Sequence, residues 1–232
     1  MTVPAGSSDR LVPVHGDVIR QSSPRADDLE RSVELLRQVA SGNGPERLLR
    51  LYTPVPTLAL TRRESLMPGY QTAVTAAKRL GFTPAIRPTG GRAAAYDETC
   101  LVFDLIEREE AQTDPTALFA QAGRTIVDAL RGLRVDARLG EVPGEYCPGE
   151  YSINARGAVK LVGTSQRGMR GARLLSGVLA FGPVDHLVAV LTEANAALGL
   201  EWDPRTFGSI RTEAPAVTRE DVADALAGAL IV

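Results

Sequence analysis

The chain has 232 residues, of which 44% are hydrophobic and 23% are charged, and its formal net charge is −2. This composition is typical of a globular protein with one large domain or two small ones, and the length supports a core without disulfides or metals. The near-zero charge argues against nucleic acid as a partner, and no apolar run reaches the length of a membrane span, so we expect neither nucleic-acid nor membrane binding.

The N-terminus and the Cys and His content exclude further classes. The first residues lack a basic segment followed by a long apolar one, which predicts no signal peptide and a cytoplasmic location. The two cysteines, Cys100 and Cys147, are too few for a disulfide framework, so we expect two free thiols. The two histidines, His15 and His186, offer no histidine-rich metal site, and we predict no metal ligands.

Apolar periodicity and the positions of Gly and Pro predict helices and strands after a loosely ordered lead-in over residues 1–25. In chain order we expect a helix at 29–39, strands at 48–52 and 58–60, a helix at 69–80, strands at 82–87 and 100–106, a helix at 114–133, strands at 135–139, 151–154 and 159–164, a basic turn at 167–173, a strand at 174–181, a helix at 184–198, a loop at 207–210 and a helix at 218–230. Short turns between strands favour one α+β domain over residues 26–232 with a mixed, mostly antiparallel sheet.

A Gly pair stands in RPTGGRAAAYD, residues 87–97, between two predicted strands. Gly has no Cβ and can expose its N–H to an anion or a carbonyl, so this segment is a candidate for close approach of the backbone to a ligand. An ordinary hairpin turn is the alternative. Cys100 follows among apolar residues, and we expect it to be a core residue rather than a reactive thiol.

The stretch EYCPGEYSINARGAVKLVGTSQR, residues 145–167, combines Cys147 in a Cys-Pro-Gly turn with Lys160 on a strand. Only two of the 26 basic side chains are lysines, Lys78 and Lys160, and the rest are arginines. Lysine is a compact point charge, whereas arginine is a planar fork, so Lys160 is a candidate for a site that needs an ammonium. The alternatives are an ordinary strand-end lysine and a buried turn cysteine.

Taken in order, RPTGGRAAAYD, CPGEYSINARG (147–157) and KLVGTSQR (160–167) resemble the lipoate/biotin protein ligase superfamily over nearly the whole chain. The resemblance implies a class II synthetase-like α+β fold, with a mostly antiparallel sheet flanked by helices. Cys-Pro-Gly before Lys-x-x-Gly-x-Ser-Gln-Arg is most similar to the cysteine-dependent transferases, which move octanoyl or lipoyl groups between carrier-protein lysines through a thioester.

The resemblance also implies roles for single residues. Cys147 matches the nucleophile, and Lys160 matches the lysine that contacts the acyl carbonyl or an acyl-adenylate. The implied substrate-binding residues are Arg87, Gly90, Gly91, Arg92, Ala93, Asp97, Gly163, Ser165 and Gln166. The loop departs from the usual ligase pattern at two positions, with Arg92 in place of a third Gly and Tyr96 where many relatives have His.

The chemistry of transfer adds expectations about the surroundings of the thiol. A thiol must ionise to attack, and a nearby cation favours the thiolate, a role that Lys160 can fill if the hairpin folds it back onto Cys147. The same ammonium would stabilise an oxyanion. Candidates for lining an acyl tunnel are Ala93, Ala94, Ala95, Val159 and Val162, with plain core packing as the alternative. We expect His186 on a helix surface.

We therefore expect a protein-lipoylation acyltransferase that works through Cys147 and requires no cofactor for transfer. Its implied partner is a lipoyl-carrier protein (the glycine cleavage H protein or the lipoyl domain of a 2-oxoacid dehydrogenase E2) or an acyl carrier protein. Two alternatives stay open. One is an ATP- and Mg-dependent lipoate–protein ligase, in which Lys160 contacts the adenylate, and the other is a non-catalytic paralogue that only binds an acyl group or a carrier.

Overall fold

The computed structural model describes residues 16–109 and 114–231. The strands in this part of the chain are β1 (Asp17–Arg20), β2 (Arg47–Tyr52), β3 (Thr57–Leu60), β4 (Thr83–Ile86), β5 (Ala94–Tyr96), β6 (Cys100–Arg108), β7 (Ala137–Leu139), β8 (Ile153–Ala155), β9 (Val159–Met169) and β10 (Ala172–Ala180). Seven of them form one sheet in the order β1-β2-β6-β10-β9-β8-β7, in which β1 and β2 are parallel and the other neighbours are antiparallel. A second sheet has the order β4-β3-β5.

The helices are α1 (Asp28–Ala40), α2 (Tyr70–Arg79), α3 (Pro115–Gly132), α4 (Asp185–Ala197), α5 (Ile210–Glu213) and α6 (Arg219–Leu230). Two of them begin at side chains that bond their free N–H groups. The Asp114 carboxylate accepts from the Thr116 N–H at 2.9 Å, and Thr218 and Asp221 form a capping box. Within the described ranges, no helix combines the length and the apolar character that a membrane crossing requires.

The two faces of the seven-stranded sheet have different neighbours. On one face, buried residues such as Leu49, Phe103 and Leu175 pack in one core with Ile126 of α3 and Leu226 of α6. On the other face, α1 covers only one end of the central strands, where Leu48, Ile106 and Leu174 pack beneath it. The second sheet packs with α2 and α4 in a further core. The remainder of that other face is therefore open to a ligand site.

The predicted α+β class and the mostly antiparallel sheet are confirmed. Cys100 is fully buried, as expected, and both cysteines are free thiols. Three predictions were wrong. The predicted lead-in contains β1, and its residues 1–15 lie outside the described residues. The segment 87–97 contains β5, and the turn predicted at 167–173 is shorter because β9 runs to Met169 and β10 starts at Ala172.

Candidate active site

A cavity of about 450 Å³ lies on the open face of the seven-stranded sheet. This volume falls within the range of small-molecule sites. The N-terminal part of α1, strand β5, the loop at 87–91 and the loop at 146–152 enclose it. Its floor is a row of directly paired residues: Tyr52 faces Val102, Val102 faces Val178, and Val178 faces Gly163. Because paired residues share a face of the sheet, this row forms a mostly apolar strip across four strands.

Cys147 lies in the wall of this cavity, with its side chain half-buried. Its Sγ accepts a hydrogen bond from the backbone N–H of Arg92 at 3.1 Å, and Nη2 of Arg87 lies 3.8 Å away. Both groups can stabilise negative charge on sulfur. The φ angle of Cys147 is +47°, an uncommon value for a residue with a side chain. The backbone of Cys147 thus has an unusual conformation, which places the sulfur at the cavity.

Gly91 makes room for this arrangement. Its φ is +102°, and a Cβ at this position would lie 2.9 Å from Cys147 Sγ and 2.5 Å from Arg87 Nη2. At Gly90 an added Cβ would meet no atom within 4 Å. Of the Gly pair, it is therefore Gly91 whose backbone is closely approached. The groups that approach it are the Cys147 sulfur and the Arg87 guanidinium.

Lys160 is folded back onto the Cys147 turn, but its ammonium contacts a carboxylate and two main-chain carbonyls rather than the sulfur. Nζ donates to Glu145 Oε1 at 3.0 Å, to the Tyr146 carbonyl at 3.1 Å and to the Cys147 carbonyl at 2.8 Å. A lysine has three N–H donors, so these acceptors occupy them all. The expectation that Lys160 is the cation beside the thiol is thus corrected, since Arg87 has that position. The flexible stem of Lys160 brings its ammonium to three oxygen atoms, which are better acceptors than a thiol sulfur.

Glu145 is a buried partner of Lys160 that the sequence did not reveal. Its side chain is fully buried with Lys160 at only 2% exposed, and its carboxylate also accepts from the Ser152 hydroxyl at 2.5 Å. It further accepts from the N–H groups of Val142 and Gly149. Glu145 opens the segment that drew attention to Cys147, but one acidic residue in a loop has no pattern that predicts burial. The turn at 145–152 is therefore held at its start by Lys160, which bonds the carbonyls of Tyr146 and Cys147, and at its end by Glu145, which bonds Ser152.

The substrate-binding residues implied by the resemblance fall into two groups. Those that line the cavity are Arg87, Gly90, Gly91, Gly163, Ser165 and Gln166. Those that are not among its lining residues are Arg92, Ala93 and Asp97. Arg92 acts through its backbone N–H, and the N–H of Ala93 donates to Glu64 at 2.7 Å. Asp97 accepts from the backbone and hydroxyl of Thr99, so its visible role is structural.

The predicted tunnel residues are mostly core residues. Ala94 lines the cavity. Ala93 and Ala95 are buried in the core of the second sheet. Val162 belongs to the core beneath α3 and α6, and Val159 packs against that core. The sequence pattern could not separate these roles, because small apolar residues are equally suited to both. The aromatic lining residues Tyr52, in the floor, and Tyr146 were not predicted.

His186 lies in the first turn of α4, with 42% of its side chain exposed, in accord with the expected helix surface. Its Nε2 is 2.5 Å from Asp97 Oδ2. The two residues are far apart in sequence, so no local pattern predicts the contact. Within residues 16–109 and 114–231, no three His, Cys, Asp or Glu side chains are grouped so that they could hold a metal ion.

Comparisons with known proteins relate the chain to one family. The lipoyl protein ligase A/B catalytic domain matches residues 25–231. An octanoyl-[GcvH]:protein N-octanoyltransferase of Geobacillus kaustophilus is 30% identical over 129 residues, which are 54% of this chain and 44% of that protein. The transferase of the same name from an Exiguobacterium species is 28% identical over 124 residues, 53% of this chain and 44% of that protein. The chain thus covers less than half the length of these relatives.

Solved structures share the fold. Lipoate-protein ligase A bound with ATP superposes with a TM-score of 0.75 at 21% identity, covering 93% of this chain and 83% of that one. A putative lipoate protein ligase from T. acidophilum with bound lipoic acid gives 0.73 at 22% identity, with coverage of 93% and 83%. Identities this low show the fold alone. The two superpositions confirm the lipoate-ligase-like fold that the resemblance implied.

Proposed function

The chain belongs to the lipoyl protein ligase A/B catalytic-domain family, and on this premise we propose that it transfers an octanoyl or lipoyl group to a lysine of a lipoyl-carrier domain through a Cys147 thioester. The observation that carries the proposal is the position of the sulfur, at the wall of a mostly apolar cavity and beside the Arg92 N–H and the Arg87 guanidinium. The names of the curated relatives describe transfer of octanoyl from GcvH to another protein, which supports this choice.

The proposed reaction has two half-reactions. Cys147 Sγ attacks the carbonyl carbon of the donor acyl-lysine, a C–S bond forms, the C–N bond breaks, and the thiol proton leaves with the lysine amine. The acceptor lysine then attacks the thioester, a C–N bond forms, the C–S bond breaks, and a proton returns to sulfur. A covalent intermediate divides one difficult exchange into two easier steps.

We assign Lys160 a positioning role in this reaction, in place of the carbonyl contact that the resemblance implied. Its three donors are committed to Glu145 and to the carbonyls of Tyr146 and Cys147. These contacts hold the strained φ of Cys147, because they fix the peptide groups on either side of its Cα. The cation that assists the thiol is Arg87.

The cavity supplies binding energy for the acyl chain. An octanoyl group has six methylenes, and burying them at about 0.8 kcal/mol each contributes up to about 5 kcal/mol. The strip of Tyr52, Val102 and Val178 is the surface on which we place this chain. The partner is a lipoyl-carrier protein, either the glycine cleavage H protein or an E2 lipoyl domain.

The proposed transfer needs neither ATP nor Mg²⁺. The alternative, an ATP- and Mg-dependent ligase, would use Lys160 to contact an acyl-adenylate. The arrangement favours transfer, because an adenylate contact would require Lys160 to give up a buried bond to Glu145 or to a carbonyl oxygen.

The test is the intact mass of the protein after incubation with octanoyl-loaded H protein. We expect a gain of one octanoyl group that hydroxylamine removes, and transfer to an E2 lipoyl domain added afterwards. Cys147→Ser should abolish the adduct and slow turnover at least about 100-fold, because a serine hydroxyl ionises far less readily than a thiol.

Cys100→Ser is the matched control and should keep the adduct, because burial raises the pKa of the Cys100 thiol to about 12. Normal transfer by Cys147→Ser would contradict the proposal. So would acylation of the carrier that occurs only with free octanoate, ATP and Mg²⁺, which would establish the ligase instead.

A further inference from the structure

Two segments beside the Cys147 sulfur leave the same end of the second sheet. Strands β3 and β4 are parallel, so the segments that follow them, 61–66 and 87–92, start at one edge of that sheet. Two hydrogen bonds join these segments. The Arg87 N–H donates to the Leu60 carbonyl at 2.8 Å, and the Ala93 N–H donates to Glu64 Oε1 at 2.7 Å. The two segments therefore form one continuous surface next to the cavity.

Exposed arginines are concentrated on this surface and on the neighbouring part of β9. We call four of them the arginine rim: Arg62, Arg63, Arg92 and Arg167. The rim lies close to the thiol, because the backbone N–H of Arg92 bonds the Cys147 sulfur at 3.1 Å. Arg167 reaches the same loop, since its Nη1 donates to the Pro88 carbonyl at 3.0 Å. Among the described residues, no carboxylate forms an ion pair with any member of the rim.

The lack of carboxylate partners distinguishes the rim from other arginines on the surface. The formal net charge of the chain is −2, and exposed arginines elsewhere have carboxylate partners, such as Arg79 with Glu193 and Arg205 with Asp203. The one acidic residue that lines the cavity, Glu150, belongs to the opposite loop. A local excess of positive charge on a slightly acidic chain indicates an acidic partner, and the arginine fork matches a carboxylate group.

Two exposed apolar side chains lie on the same surface. Leu66, in the segment after β3, is 82% exposed, and Ile86, the last residue of β4, is 44% exposed. Apolar residues bordered by charged ones are typical of a surface that binds another protein. A small anion such as phosphate has no apolar part for Leu66 and Ile86 to contact. The combination therefore favours a protein segment as the occupant.

We propose that the arginine rim docks an acidic segment of the carrier protein, in which carboxylates flank the acyl-lysine. The inference rests on the proposed function, since it names the chemistry of the same partner. Successive residues of an extended segment are at most about 3.6 Å apart, so acids one or two positions from the lysine lie within about 7 Å of it along the chain. Because Arg92 adjoins the sulfur, these acids come within reach of the rim when the acyl-lysine enters the cavity.

The test compares two peptides that carry octanoyl on a central lysine, flanked on each side by two Glu residues in one and two Gln residues in the other. Glu and Gln have the same shape, so the peptides differ only in charge. Isothermal titration uses the Cys147→Ser chain, which keeps the octanoyl group on the peptide. We expect the Glu peptide to bind at least about tenfold more tightly at about 0.1 M salt, and the preference to disappear at about 1 M salt, where charges are screened within about 3 Å.

Substitutions in the rim provide the second arm. Combining Arg62→Gln, Arg63→Gln and Arg167→Gln should reduce the preference for the Glu peptide to less than about threefold and leave the affinity for the Gln peptide unchanged. Arg124→Gln is the matched control, because Arg124 is an exposed arginine on α3, at the opposite face of the large sheet, and it should keep the preference.

Several results would overturn the proposal. Equal binding of the two peptides, or no binding of either, would show that the rim does not recognise acidic segments. An equal loss for both peptides in the triple variant would show a structural role. ATP serves as a third probe, and binding of ATP that depends on the rim, without a peptide preference, would assign these arginines to phosphate groups. All these measurements report binding alone, so they do not depend on whether Cys147 forms a thioester.

Discussion

The contact between Gly91 and the Cys147 sulfur leads to the first prediction. Gly91→Ala should reduce octanoyl-thioester formation at least about tenfold, a difference of about 1.4 kcal/mol. The added Cβ would overlap Sγ and the Arg87 guanidinium, and a φ of +102° adds backbone strain of about 1 to 3 kcal/mol. Intact mass with octanoyl-loaded H protein measures the effect. Gly90→Ala is the matched comparison and should lose much less, and equal losses in both variants would show that the overlap does not matter.

The sequence predicted some residues of the candidate site but not the contacts that they make. Cys147 and Gly91 follow from short motifs, because a Cys-Pro-Gly turn and a Gly pair each restrict the backbone. The partner of Lys160 does not follow, since its contacts depend on the φ of Cys147 and on the burial of Glu145. The contacts of Asp104 were unpredicted as well, because one polar residue in an apolar strand meets Arg50 and Ser32 only when β2 and α1 lie beside β6.

At the scale of the element, the turn over residues 145–152 depends on the Glu145–Lys160 pair. Lys160→Arg should remove most of the transfer activity although the charge is kept, because a planar guanidinium cannot replace an ammonium among three acceptors in a buried site. In a Cys100→Ser background, the rate at which iodoacetamide alkylates Cys147 should fall together with turnover, because the turn no longer holds the sulfur beside the Arg92 N–H and the Arg87 guanidinium. A positioning role requires both changes.

Two outcomes would contradict that role. Near-normal turnover in Lys160→Arg would show that the three contacts are not needed. A loss of turnover with an unchanged alkylation rate would show that Lys160 contacts the acyl carbonyl, as the resemblance implied. Glu145→Gln tests the other half of the pair, because it leaves a buried ammonium without its carboxylate, a change that costs about 3 to 5 kcal/mol.

Elements with a local start or stop were predicted well, and elements without one were missed. Asp114 and Thr218 cap α3 and α6, and Gly81 and Gly199 have positive φ where α2 and α4 end. Strand β1 has four exposed residues and exists through its parallel pairing with β2, so it shows no alternation. Strand β5 is three buried small or aromatic residues, too short for any periodicity.

At the scale of the whole molecule, the buried ion pairs of Arg50 with Asp28 and Asp104 join three elements beside the cavity. Arg50 on β2 bonds Asp28 at the start of α1 and Asp104 on β6. The α+β class followed from the short turns between strands, and the family fold followed from three motifs in order. This junction did not follow, because it requires the register of β2 against β6. These charges therefore hold the start of α1 on the sheet next to the cavity.

This junction should make the stability of the fold depend on pH in a defined direction. Burial raises the pKa of Asp104, although the Ser32 hydroxyl and the Arg50 guanidinium oppose the shift. The folded state then binds the proton more tightly than the unfolded chain, whose Asp pKa is about 3.9. The stabilisation is fully present below pH of about 4 and is lost as pH rises through the raised value.

Asp104→Asn cannot titrate, so the free energy of unfolding of the natural chain minus that of the variant should fall as pH rises from about 4. Urea unfolding at a series of pH values measures it. Asp114→Asn is the control with the opposite sign, because hydrogen bonds from Thr116 lower the pKa of Asp114, so its stabilisation is lost as pH falls. A difference for Asp104 that stays flat or rises with pH would show that Arg50 outweighs burial and keeps the carboxylate ionised.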